Sequence, residues 1–155
     1  MCKLCWGIVI VLIIALSGMV YKFIFQGSVE KSSDGRLAIQ LEAGERDLVL
    51  SEMRAFLSSV QQITAGILNE DMKQVAEAAQ KAGRGTMKNV PGSLIGKLPL
   101  SFKKLGIDTH RKFDALALDA EDLEDREHTL SQLSTLMENC VACHASYRIA
   151  IIPNP

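Results

Sequence analysis

Residues 130–144 read LSQLSTLMENCVACH, and they decide the last helix of the chain and the chemistry it carries. Leu130, Leu133, Met137 and Val141 recur at helical spacing, so they are expected to face a core. The run ends in Cys140-Val141-Ala142-Cys143-His144. Two thiols three residues apart, followed at once by an imidazole, form the attachment signature of a c-type haem. Each sulfur adds to one vinyl group on the same edge of the porphyrin, and the histidine lies under the ring as proximal ligand to the iron. The expected cofactor is therefore one covalently attached haem c, with His144 continuing the inward face of the helix.

Two other chemistries use similar spacings. A zinc site needs further ligands, and the remaining candidates are Cys2, Cys5, His110 and His128. A thioredoxin-like thiol pair needs a neighbouring βαβ pattern, and no segment reads as a strand. The four cysteines fall into two pairs, 2/5 and 140/143, which do not resemble a disulfide framework.

The 155 residues suffice for one ordinary domain and an extra segment. Formal net charge is −1, so no basic field points to nucleic acid. Few aromatics and abundant Ala, Leu, Ile and Val suit a helical bundle. Thioether attachment takes place outside the bacterial cytoplasmic membrane or in equivalent compartments, so the motif demands export. Residues 4–21 hold no charged side chain, and the apolar character continues to Phe25. That length spans a hydrocarbon core of roughly 30 Å. Trp6 and Tyr21 stand near its ends, and Lys3 precedes it. The alternative is a cleaved signal peptide with Ala15 and Ser17 near the cut; continuation through Phe25 favours an uncleaved signal-anchor. The segment Cys2-Lys3-Leu4-Cys5 lacks the histidine, and a second haem is not expected.

This divides the chain into a transmembrane signal-anchor (1–25), a polar linker broken by glycines (26–44) and a cytochrome domain (45–155). Within the linker, Leu37-Ala38-Ile39 is able to pack on the domain. The first domain helix is expected over 45–69, its seam formed by Leu50, Met53, Leu57, Val60, Thr64 and Ile67 and widened by Phe56 and Ile63. A second begins near Asp71, with Asn69 as N-cap, and carries Met72, Val75, Ala76 and Ala79. A glycine-rich loop fills 83–98. The third helix starts at Pro99 and turns Phe102, Leu105, Phe113 and Leu116 inward. Acidic residues at 119–125 mark the connection to the fourth helix, and Ile149 to Pro155 form a tail closed by Pro153 and Pro155. The fold class is all-α: an antiparallel four-helix bundle with a C-terminal CxxCH motif, preceded by an N-terminal transmembrane helix.

A short helical domain with this motif on its last helix resembles the class II c-type cytochromes, the cytochrome c′ and cytochrome c556 family. Cys143-His144-Ala145-Ser146-Tyr147-Arg148 also fits the family's C-H-x-x-Y-R ending. The resemblance covers about residues 45–150. It implies that Arg148 lies near the haem edge and that Met53, on the first helix, faces the distal side of the iron. A methionine there completes a six-coordinate, low-spin haem; an apolar residue leaves the iron five-coordinate. The bland reading of Met53 is core filler. His110 is a less favoured second ligand, since Thr109, Arg111 and Lys112 suggest an exposed face, and His128 reads as solvated. The family often has an arginine one turn before the distal position, where this chain has Val49; neither Arg46 nor Arg54 matches that place.

The resemblance implies a monohaem electron carrier, not an enzyme, and the apolar segment, which lies outside the resemblance, adds the expectation of an anchor that holds it on the periplasmic side of the bacterial inner membrane. It would be anchored through residues 4–25 and would exchange electrons with redox proteins at the membrane. The alternative is a cytochrome c′-like protein binding NO or CO at five-coordinate iron. A peroxidase would need a distal acid–base pair, which the helices do not offer. A homodimer through the first two helices is an arrangement the family admits. The part beyond the anchor (residues 30–155) carries 15 Lys and Arg against 18 Asp and Glu, a formal charge of −3 that is too weak to single out a partner.

Overall fold

The computed structural model describes residues 3–152, so Cys2, Pro153 and Pro155 fall outside it. The chain is mostly helical, in keeping with the expected class. Helix α1 (Lys3–Val20) runs on through a wider π-type turn, Tyr21–Gln26. The stretch Cys5–Gln26 has a mean hydropathy of 2.5, is wholly exposed, and is long and apolar enough to cross a membrane.

Residues 26–44 are not featureless. They form strands β1 (Val29–Lys31) and β2 (Leu37–Leu41), which pair antiparallel. The segment after the CxxCH motif, expected to be a tail, forms β3 (Tyr147–Ile151), which joins β2 in parallel. Sequence patterning missed all three strands because they are short. Only β2 shows a strong apolar signal, and its Ala38, Ile39 and Leu41 are buried. The expected docking of Leu37-Ala38-Ile39 is therefore present.

The helices follow as α2 (Ala43–Leu68), α3 (Met72–Gln80), α4 (Gly92–Lys97), α5 (Leu100–Leu123) and α6 (Arg126–Ser146), with a 3-10 turn at Arg84–Asn89. Side chains define their starts. Glu42 and Glu45 form a capping box for α2. Asp71, rather than Asn69, caps α3 by accepting from the Gln74 amide at 2.8 Å. Asp125 caps α6 by accepting from the His128 amide at 3.0 Å.

Helix α3 packs on α2 and α5, α5 packs on α6, and α6 returns more sparsely to α2. Polar contacts between α5 and α6 run in opposite order along the two helices. Gln132 meets Asp119, Asn139 meets Asp108, and the Tyr147 hydroxyl just beyond α6 meets Ser101. The main core holds Phe56, Ile63, Val75, Phe113, Leu116 and Leu136, with Phe56 and Phe113 stacked at 5.4 Å. A second cluster, under the sheet, holds Ile39, Leu41, Val49, Leu94 and Tyr147.

The inward faces of α2 and α6 are rotated from expectation. On α2, Phe56 and Ile63 occupy the centre, while Leu50, Leu57 and Thr64 are exposed. The larger ring of Phe56 is drawn to Phe113 and His110, which turns the helix toward α5. On α6, Leu133 is buried as expected, but Leu130, Met137 and Val141 are exposed. Thr129 and Asn139 take buried places because both are satisfied: Thr129 by the Asp125 carbonyl, Asn139 by Asp108 and Thr109.

Candidate haem-attachment site

The motif lies in the last two turns of α6. Cys140 and Cys143 are one turn apart, and His144 is four residues after Cys140, so all three belong to neighbouring positions on the helix surface. Cys140 packs against the main core and Cys143 against the cluster under the sheet. The motif therefore sits where the two cores meet. Both sulfurs are free thiols and half-buried. Burial pushes both thiol pKa values up. A helix C-terminus does not favour a thiolate either. These are neutral thiols, unlike the low-pKa pair of a disulfide oxidoreductase.

His144 is exposed, contrary to the inward placement expected from the sequence. Among the described residues its ring has no hydrogen-bond or ion-pair partner. Counting back along α6, Val141, Met137 and Leu130 lie three, seven and fourteen residues before it, forming one exposed stripe that ends at the imidazole. On α2, Leu50, Met53 and Leu57 form a second stripe, with Met53 half-buried against the main core and Leu57 exposed. The two stripes belong to helices that adjoin more sparsely than α2 and α3 or α5 and α6.

Asn139 fixes the rotation of this last stretch of α6. Its amide donates to Asp108 at 2.9 Å and to Thr109 at 3.3 Å, and Lys112 donates to its carbonyl oxygen at 3.0 Å. The hydrogen bond from Asn139 leads the interactions that hold the Asp108 carboxyl below its usual range. Asn139 directly precedes Cys140, so the same bonds set the direction of the first thiol. Nothing in the sequence signals it, because residue 139 lies off the seam of Leu130, Leu133, Met137 and Val141.

His110 is a correction. It is only 3 % exposed, not on a solvated face. Its Nδ1 lies 2.7 Å from the Ala82 carbonyl and its Nε2 3.2 Å from Glu52, so both ring nitrogens are engaged by protein. Burial disfavours the imidazolium, but the Glu52 carboxylate and the Ala82 carbonyl outweigh it and raise the pKa above the ordinary value. His110 is thus a structural histidine tying α5 to α2. His128 is exposed, as expected, and pairs with Asp119 at 3.1 Å.

Arg148 is exposed on β3 and donates to the Ser32 hydroxyl at 3.0 Å, with Asp34 at 4.0 Å. A second arginine, which sequence reading did not single out, stands closer to the motif. Arg36, at the start of β2, donates to the carbonyls of His144 at 3.2 Å and Tyr147 at 3.4 Å. It thereby satisfies the open end of α6. Asp34 holds Arg36 at 2.7 Å, and that hydrogen bond lowers the exposed carboxyl's pKa to about 2. Only the β1–β2 hairpin brings Arg36 here, across 108 residues of sequence.

Val49, at the family's arginine position, is buried in the cluster under the sheet. Arg46 pairs with Asp47, and Arg54 is exposed. Among the described residues no three His, Cys, Asp or Glu side chains gather as a metal cluster, which a structural zinc site requires. The donors present fit haem better: two neutral thiols, a free imidazole, a thioether on a facing helix, and exposed apolar stripes for a flat macrocycle to cover. No protein-family model, curated protein or solved structure matches this chain.

Proposed function

We propose that the protein is a membrane-anchored monohaem c-type cytochrome of the class II kind, an electron carrier built as an antiparallel four-helix bundle on an N-terminal anchor. The observation that carries this reading is the motif on α6: two unpaired thiols one turn apart, followed by an exposed imidazole without a protein partner. Cys140 and Cys143 hold the haem by thioether bonds, and His144 binds the iron from the proximal side. Met53 offers its sulfur from α2. When bound, the haem supplies one-electron chemistry at iron, and thioether ligation raises its reduction potential.

The chain's own residues do the rest. Asn139, through Asp108 and Thr109, holds Cys140 in register with α5. Arg36, itself held by Asp34, closes the carbonyl end of α6 beside His144. The exposed leucine, methionine and valine stripes on α2 and α6 exclude water from the ring they would cover. His110 is committed to Glu52 and Ala82, so Met53 rather than His110 would serve as a second ligand to the haem iron. Arg148, held by Ser32, supplies a charge at this end. Thioether attachment would call for the domain to lie on the periplasmic side of a bacterial cytoplasmic membrane, and α1 is long and apolar enough to anchor it there.

The oxidised absorption spectrum of the haem-loaded protein tests the ligand set. Low-spin bands with a near-infrared sulfur-to-iron transition support His144/Met53 ligation and electron transfer. A high-spin spectrum would refute it and favour gas binding at an open iron.

A further inference from the structure

The anchor does not end in a free tether. The Lys103 ammonium, in the first turn of α5, donates to the carbonyls of Phe23 at 3.2 Å and Ile24 at 3.3 Å. The Ser28 amide donates to the Lys97 carbonyl at 2.7 Å. Between them Gly27 adopts φ +66°, and a side chain there would run into the backbone of Lys97, Leu98 and Pro99. Phe23 lies against Gly96 of α4. The last turn of the apolar segment is therefore fastened to α4 and to the start of α5.

That end of the domain is also the end that carries the motif. Helix α6 runs antiparallel to α5, and Tyr147, three residues past His144, bonds Ser101 and lies edge-on to Phe102 at 5.4 Å. Cys143 packs in the same cluster as Leu98, Phe102 and Leu105. Anchor and motif thus both touch the first two turns of α5. The opposite end of α5 lies about 30 Å away, at 1.5 Å per residue. There five carboxylates, Glu70, Asp71, Glu124, Asp125 and Glu127, outnumber Lys73 and Arg126 around a cavity of about 670 Å³. At the anchored end, Ile95 is exposed on α4, beside a cavity of about 320 Å³ lined by Lys22, Phe23, Gly96 and Lys97, whose ammonium is paired with Glu42 and Glu45. Lys22 and Lys104 are exposed there.

We propose that the domain rests directly on the lipid headgroup layer through this end, with Ile95 and the lysines against the lipid and the acidic end turned to solvent. The proposal rests on the reading of α1 as membrane-spanning and of α6 as haem-bearing. An anionic headgroup layer attracts the lysine end and repels the acidic end, which reinforces the covalent orientation. The haem edge is then presented to redox centres held at the membrane surface, and a carrier arriving from bulk solution meets the acidic end first.

The test uses the full-length, haem-loaded protein in nanodiscs containing anionic lipid. Cys2 and Cys5 are replaced by Ser, and a nitroxide is placed at Ile95→Cys or at Glu124→Cys. Collision with lipid-soluble oxygen, relative to a water-soluble nickel chelate, should be several-fold higher at 95 than at 124. Inserting a flexible Gly-Ser segment between Gln26 and Gly27 should reduce the ratio at 95 toward that at 124. Equal ratios at the two positions in the uninterrupted protein would overturn the docking, whereas a high ratio at 95 that survives the insertion would support lipid contact by this end itself and overturn the part given to the fastened anchor. Pyridine haemochrome on the same samples reads the cytochrome assignment separately. If no haem is attached, Cys140→Ser and Cys143→Ser allow the same two labels to be read, so failure of either idea is seen alone.

Discussion

Replacing His110 by Phe probes the join between α5 and α2 beside the Met53 turn. The substitution keeps an aromatic ring near Phe56, whose edge-on contact has a centroid distance of 4.9 Å. It removes both polar contacts of the imidazole. The Ala82 carbonyl loses its donor at 2.7 Å in a buried place. An unsatisfied buried acceptor of this kind costs about 1–3 kcal/mol. Glu52 loses its partner too, but its side chain is 34 % exposed and water replaces the bond, so this adds less than ~1 kcal/mol. The variant should therefore be less stable by about 2–3 kcal/mol near pH 6. The His110 pKa is raised in the fold, so the charged imidazole's contribution is fully present below the ordinary histidine value of 6.5. It is lost as pH rises through the raised folded value. The stability gap between native protein and variant should accordingly narrow toward about pH 9, leaving the neutral ring's bond to Ala82. Guanidinium unfolding of the full chain in detergent, followed by far-ultraviolet circular dichroism at both pH values, measures it. A gap that is absent, or that widens with pH, would refute this account of His110.

Four further outcomes follow from named contacts. Met53→Ala should convert a low-spin oxidised spectrum to high-spin; an unchanged spectrum would remove Met53 from the iron. Asn139→Ala removes one donor from Asp108, which keeps Arg111 and Lys112, and the donor to the Thr109 hydroxyl, and thermal unfolding should show a loss of about 1–2 kcal/mol together with a lower yield of covalent haem. Phe113→Ala empties a fully buried site in the main core, and denaturant titration should give about 3–5 kcal/mol of destabilisation. Asp34 has its pKa lowered to about 2. Its hold on Arg36 is present above the ordinary carboxylate value and is lost as pH falls through about 2. Arg36→Ala should speed amide exchange at residues 144–147 at neutral pH; unchanged exchange would show that the arginine does not secure the end of α6.

The helices were legible because their signals are local. Apolar spacing along 45–69 and 123–144 identifies α2 and α6, and Met72, Val75, Ala76 and Ala79 are all buried on α3 as the pattern requires. Helical rotation was less legible. Leu57 and Phe56 are adjacent and both apolar, so spacing alone does not decide between them. The Phe56 contact with Phe113, a partner distant in sequence, turns Phe56 inward and leaves Leu57 exposed. His110 was misread for the same reason: polar neighbours suggested solvent, while Glu52 and Ala82 satisfy it in the interior. The sheet was hidden because its strands have 3 to 5 residues, and β2 pairs with β3 from the far end of the chain, Leu37 opposite Tyr147. Cys140, Cys143 and His144 share one stretch of α6 because the motif is contiguous, but the exposure of His144 was not legible, since it follows from the rotation of the helix. Arg36 was not, because it reaches His144 only through the hairpin.

The central claim is that Cys140 and Cys143 carry a haem. Intact mass of the full chain under denaturing conditions, after expression with a haem-attachment system, addresses it most directly. The account predicts a chain heavier by one haem, and the unmodified mass once Cys140→Ser and Cys143→Ser are combined. An unmodified native chain from cells that load another c-type cytochrome would contradict it.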